Sequence, residues 1–190
     1  MDTTNIRCAI DIGQKFIDYY YGLINNAKPL SPAYVTNNDT YKQAGHVASD
    51  ICVNGLVLGT PEEFEKVLEK SRTWTNCPSD RVVRYVVESF NSQVLNSDYQ
   101  FAASRELVDI HGKNDGVRMM LTLSVSGTVY YGVEKHAREN TNYMVKKHFN
   151  DVFILVPNWE VIGRANMSSN KAAAGRRYII VSHTHRAFDA

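Results

Sequence analysis

The sequence predicts an α+β fold: a curved, mostly antiparallel sheet packed on its concave side by N-terminal helices. Two observations carry this. Apolar residues recur at helical spacing up to about Lys70 and closer to strand spacing beyond Pro78. The strands then follow one another without alternating helical segments, which argues against a doubly wound parallel sheet. The chain has 190 residues, enough for one well-packed domain and short for two, so 1–190 is read as a single domain.

Each element has its own local reason. From Ile6 to Ile24, residues such as Ile10, Gly13, Phe16, Ile17 and Tyr20 share a helical face, and Asn25-Asn26 with Pro29 ends the pattern. Ser31 to Val35 reads as a second short helix, with Ser31 as cap and Pro32 in the first turn. Residues 36–49 are polar and irregular. Asp50 to Leu58 is a strand folded at Asn54-Gly55, two residues that tolerate positive φ. Thr60-Pro61-Glu62-Glu63 opens a helix that runs to about Lys70: Thr60 caps it, Pro61 needs no donor there, and Glu63 completes a capping box.

The long strands are Arg81 to Phe90, Val117 to Tyr131, Tyr143 to Val156 and Tyr178 to Phe188. Ser92 to Asp98 either continues the first of these or turns. Ser124-Val125-Ser126-Gly127 leaves room for a bend or bulge. Gln100 to Ile110 fits strand or short helix equally. His111 to Gly116 and 132–142 are loops, and 157–177 reads as an insertion between paired strands.

Composition narrows the function classes. Lys plus Arg is 21 and Asp plus Glu 20, a net charge of +1, which argues against a generally basic nucleic-acid binder. Cys8, Cys52 and Cys77 match no zinc or redox spacing and read as free thiols in a reducing compartment. No apolar run reaches the length of a membrane span, and the polar start is unlike a secretory signal. Cytosol or nucleus follows by elimination. Neither a Walker lysine motif nor a dinucleotide fingerprint is present.

Ile12-Gly13-Gln14-Lys15-Phe16-Ile17-Asp18-Tyr19-Tyr20-Tyr21 resembles the first helix of the nuclear transport factor 2-like (NTF2-like) family, with its G-x-x-F-I-x-x-Y-Y segment. Leu30-Ser31-Pro32-Ala33-Tyr34 is similar to the L-x-x-x-Y element that follows it there. The Asn54-Gly55 turn, the Thr60 to Phe64 helix start and the strand Phe149 to Leu155 match in order, and Tyr178 to Asp189 takes the place of the final strand. Expansions at 96–116 and 157–177 are similar to those of the fungal small subunit of the heterodimeric mRNA export receptor, a relative of the metazoan p15 subunit.

The resemblance implies a cone-shaped fold and, as function, a non-catalytic small subunit that pairs with the NTF2-like domain of a larger receptor, supports binding of nucleoporin FG repeats, and works in the nucleus and at the nuclear pore while shuttling to the cytoplasm. A homodimeric transport factor and a small NTF2-like dehydratase or isomerase are the alternatives. The partner-facing residues it implies are Val83, Tyr85, Val87, Leu121, Leu123, Phe153, Leu155, Ile180, His183, His185 and Arg186, with Arg186 in a heterodimer contact. Lys146, Lys147, Arg176 and Arg177 form short basic patches that suit RNA phosphates within a complex.

No cofactor, metal or catalytic set is expected. Of six histidines, His183 and His185 share a strand face, yet the sequence neighbourhood offers them no cysteine or carboxylate. An enzyme would draw on Tyr19, Tyr34, Asp50, His148 and Asp151, and nothing in the sequence makes these converge. Phe16, Tyr20, Tyr34 and Phe153 are read instead as filling the cone.

Overall fold

The computed structural model describes residues 3–73, 82–111, 116–132, 145–164 and 175–189. Cys77 and His136 lie outside them, as do 112–115 and 165–174 of the two expansions and most of the loop over 132–142. Helix α1 spans Thr3–Asn25 and buries Ala9, Gly13, Phe16, Ile17, Tyr20, Tyr21 and Ile24; Ile10, expected on the same face, is exposed, because the buried stripe passes through Ala9 instead. It lies tightly on the sheet at Gly13, where a Cβ would stand 3.1 Å from Leu123 and 3.2 Å from Ser92. At the far end the Asn25 amide accepts from Tyr85 N at 2.7 Å and donates to Tyr85 O at 3.0 Å. It takes the place of a neighbouring strand on that sheet edge.

The second helix expected at Ser31 to Val35 is two 3-10 turns, Ser31–Ala33 and Val35–Asn37, because Tyr34 between them is extended (φ −111°, ψ 149°). The irregular stretch holds a short helix α2, Asp39–Gln43, capped by Asn38, whose side chain accepts from Tyr41 N at 3.2 Å. Strands β1 (Asp50–Val53) and β2 (Leu56–Leu58) turn at Asn54 (φ 50°) and Gly55 (φ 87°). Helix α3 (Pro61–Thr73) begins as its sequence dictates. Thr60 Oγ1 accepts from Glu63 N at 3.3 Å, and Glu63 Oε2 accepts from Gly59 N at 2.6 Å.

Then come β3 (Val82–Asn96), α4 (Arg105–Ile110), β4 (Met120–Gly132), β5 (Val145–Pro157), α5 (Trp159–Ile162) and β6 (Tyr178–Asp189). They form one six-stranded sheet in the order β2-β1-β6-β5-β4-β3. Every neighbouring pair is antiparallel except β1 with β6. The sheet bends where β3 carries an extra residue, Glu88, opposite Ser126-Gly127. The Gly127 backbone is pressed against β3 there: a Cβ would stand 2.1 Å from Val86 O.

Two cores result, one on each side of the sheet. The larger fills the concave side, where α1 and α3 pack on Tyr85, Leu121, Leu123, Val125, Phe153 and Ile180. The smaller holds Val35, Tyr41, Val156, Trp159 and Ile179. Val156 and Ile179 point opposite to their neighbours Leu155 and Ile180, since successive strand side chains alternate. The second core therefore roofs the outer face at one end. Both expansions contribute to it through Tyr99, Leu107 and Ile162. The first is anchored by buried Arg118, which pairs with Asp98 and donates to Val108 O at 3.0 Å and His111 O at 2.9 Å.

Gly127→Ala should cost about 2–4 kcal/mol in urea denaturation, since the added carbon meets backbone rather than a movable side chain. Ser126→Ala beside it should stay within about 1 kcal/mol.

Candidate functional site

The interior of the cone is polar at its centre and filled. Asp151, on β5, lies between two β6 histidines, and its Oδ1 accepts from His185 Nδ1 at 2.7 Å and from His183 Nε2 at 2.9 Å. Tyr21 of α1 donates its hydroxyl to Oδ2 at 2.5 Å. With His183 Nε2 protonated, Nδ1 accepts from the Tyr34 hydroxyl at 2.8 Å, and Tyr34 is in turn 3.0 Å from the Tyr20 hydroxyl. Aromatic rings enclose the chain: Phe153 stacks on His183 at 4.4 Å, and Phe64 stands edge-on to it at 5.2 Å.

Burial alone would push the Asp151 carboxyl up, but the charge of His185 and the hydrogen bonds from both histidines outweigh it and hold the group well below the usual carboxylate range. Burial holds His183 below its ordinary value, with Asp151 acting against that. Burial likewise keeps Tyr20, Tyr21 and Tyr34 protonated, raising each above the usual phenol value. The central state is thus a carboxylate accepting three donors, with a neutral His183.

Asp151 is the carboxylate that the sequence neighbourhood of His183 and His185 lacks: it comes from the adjacent strand. The three ligand atoms lie within 4.8 Å of one another. They are nonetheless spaced as direct hydrogen bonds, whereas zinc ligands at about 2.0–2.2 Å from the ion stand further apart, at about 3.3 Å. Of the five enzyme candidates, Tyr34 and Asp151 meet through His183. Tyr19 instead lies under Arg176, with 5.8 Å from guanidinium to ring. Asp50 is exposed at the start of β1, and His148 packs on Phe188 at 5.9 Å.

The implied partner surface needs correction. Val83, Tyr85, Leu121, Leu123, Phe153, Leu155, Ile180, His183 and His185 are all buried, and Val87 packs against the same concave core. Helices cover these residues, so they do not present a face to a partner. Arg186 alone of the set is exposed on the outer face. The reason is strand phase. An extra residue at Val181 shifts the β5–β6 register between Ile154 and Leu155, which turns His183 and His185 inward together with Ile180.

The outer face, below the second core, carries the alternate residues in register. One row runs Val57, Cys52, Thr184, Val152, Ser124, Asn91, and the next Asp50, Ser182, Ile154, Thr122, Gln93. In the other direction follow Arg186, Asn150, Ser126, Ser89, then Phe188, His148, Thr128, Val86, then Lys146, Tyr130, Arg84. The side chains at the centre are short, so the face is flat enough for a second sheet to approach. The four basic residues are not gathered on it. Lys146 lies over the Tyr130 ring at 5.5 Å, while Lys147 pairs with Asp189 at 3.1 Å on the opposite phase. Arg176 and Arg177 are beside α1.

Solved structures of three relatives match the chain nearly end to end. The chain is 43% identical to one described as a Sac3N peptide bound to Mex67:Mtr2, covering 95% of this chain and 99% of that one, with a TM-score of 0.82. The match to a structure of Mtr2 is 41% identical over 95% and 99%, TM-score 0.80. The match to the Chaetomium thermophilum Mex67 NTF2-like domain complexed with Mtr2 is 42% identical over the same shares, TM-score 0.81. No family model matches the chain, and no curated protein does.

The interior chain makes the fold acid-sensitive. Asp151 and His183 each have a folded pKa below the unfolded one, so each binds fewer protons folded than unfolded, and stability falls as pH falls. Melting temperature should drop first below about pH 6.5, where unfolded histidine takes up protons, and again below about pH 4. A melting temperature that is level or rising from pH 7 to 5 would contradict this. Asp151→Asn should cost about 3–5 kcal/mol at pH 7, because its NH2 cannot accept the donors that remain.

Proposed function

The chain belongs to the Mtr2 family, and from that membership and its flat outer sheet face we propose that it is the small, non-catalytic subunit of an mRNA nuclear export receptor. Its partner is the NTF2-like domain of a larger, Mex67-type subunit, seated on the rows that contain Val152, Ile154, Thr184 and Arg186. The observation that carries this reading is the division of the sheet: a concave face whose centre is filled by the Asp151 hydrogen-bond chain, and an outer face with short side chains at its centre that no helix among the described residues covers below the second core. The heterodimer supports weak, multivalent contacts with nucleoporin FG repeats and works in the nucleus and at the pore, shuttling to the cytoplasm. The interior Tyr, His and Asp groups are hydrogen-bonded to one another and buried, which favours binding over dehydration or isomerisation chemistry.

Co-expression with the partner domain should give a 1:1 complex by light scattering. Arg186→Ala should weaken it by about 2–5 kcal/mol in titration calorimetry, since a guanidinium desolvated against a partner carboxylate leaves that carboxylate unpaired when removed. Unchanged affinity in a folded mutant would remove Arg186 from the interface.

A further inference from the structure

Phe188 departs from the rest of the outer face. Of the large apolar side chains that are exposed among the described residues, it and Val57 are the two that stand in the paired outer rows. Val57 belongs to the edge strand β2, whereas Phe188 is 54% exposed on β6, an inner strand of the sheet. Its backbone is held in register against His148, whose ring packs on one side of it at 5.9 Å. The side toward β1 is open. Pairing of β1 with β6 stops at Val53, opposite His185, and the Asn54 side chain then ends the ladder by accepting from Ala187 N at 2.8 Å. No strand among the described residues stands beside Phe188 there, which leaves its ring facing solvent. A single exposed apolar residue is ordinary in itself. Its place is what matters here: Arg186, two residues back, stands on the same face about 6.6 Å away.

We propose that Phe188 anchors the heterodimer: its ring enters an apolar recess of the partner's covering sheet, and the carboxylate that meets Arg186 lies at the rim of that recess. The inference rests on the heterodimer reading and specifies which residue of this face carries most of the affinity and what the partner offers it. The centre of the face, with Thr184, Val152, Ser124 and Ser126, allows close approach but has little apolar area to bury. A phenyl ring supplies that area at low entropic cost, because two torsions position it and its backbone is already fixed in the ladder. The same ring discriminates between partners. On a flat face it is a projection, so a covering sheet with a bulky side chain where the recess should be is held off.

Hydroxyl-radical footprinting of the wild-type chain, free and bound to the partner domain, tests the contact directly, because a ring is oxidised where water reaches it. Oxidation of Phe188 should fall at least about fivefold in the complex, as a side chain central to an interface is desolvated. In titration calorimetry Phe188→Ala should weaken binding at least about tenfold and Phe188→Leu much less. The melting temperature of the free chain should stay close to wild type in both variants, since the ring is in neither core. The proposal is overturned if Phe188 is oxidised as fast in the complex as in the free chain, or if Phe188→Ala binds within about twofold of wild type. It is also overturned if the ring becomes protected in the free chain as its concentration rises, which would give the face to a second copy. Failure of the wild-type chain to bind any such domain would instead strike the heterodimer reading on which the proposal stands.

Discussion

The Asp151 carboxylate ties together the elements that give the cone its shape. It is 1% exposed, and its hydrogen bonds draw in β6 twice and α1 once, while His183 extends the connection to Tyr34 between the two 3-10 turns. A buried charge without partners is among the costliest features a core can hold. Here the cost is offset only when α1, β5, β6 and the Tyr34 segment are all in register, so the chain favours that one arrangement over slipped alternatives. A one-residue slip of β6 would swing His183 and His185 outward and leave the carboxylate alone.

The same interaction bears on what the protein does. A cone lined with Tyr, His and Asp suits acid–base chemistry in composition, yet its groups are satisfied by one another and enclosed by Phe16, Phe64 and Phe153. Tyr34 is held protonated and His183 neutral by burial, so neither stands ready to exchange a proton with a substrate. The interior holds the sheet in its bent form, and the outer face is what that form offers to other molecules.

Much of the fold was legible because its signals are local. The apolar stripe of α1, the Asn54-Gly55 turn and the Thr60–Glu63 cap each need only neighbouring residues to be read. The bend at Gly127 was legible as a place, although the extra residue is on β3, at Glu88, where the sequence shows nothing but a polar break in a valine-rich run. Residues 36–49 were not legible, because α2 is five residues long and takes its stability from packing Tyr41 under Trp159, far along the chain.

The candidate surface failed at a specific step, and the failure shows what decides a strand's faces. The resemblance implies partner contacts mostly at apolar residues on alternate strand positions. In β4 and β5 those positions are the core, since α1 covers them first. His185 and Arg186 are adjacent, so they cannot share a face of one strand, and that constraint was available from the sequence alone. The shift at Val181 was not available, because it depends on the pairing of β6 with β5. Once it is in place, the polar His183 and His185 fall inside and the hydroxyl-rich positions Ser182 and Thr184 fall outside. A face of short Ser, Thr and Val side chains lets another backbone come close, and its hydroxyls can form hydrogen bonds with water in the free subunit or with a partner. Such a face remains soluble alone and still packs when covered, as a reversible subunit interface requires.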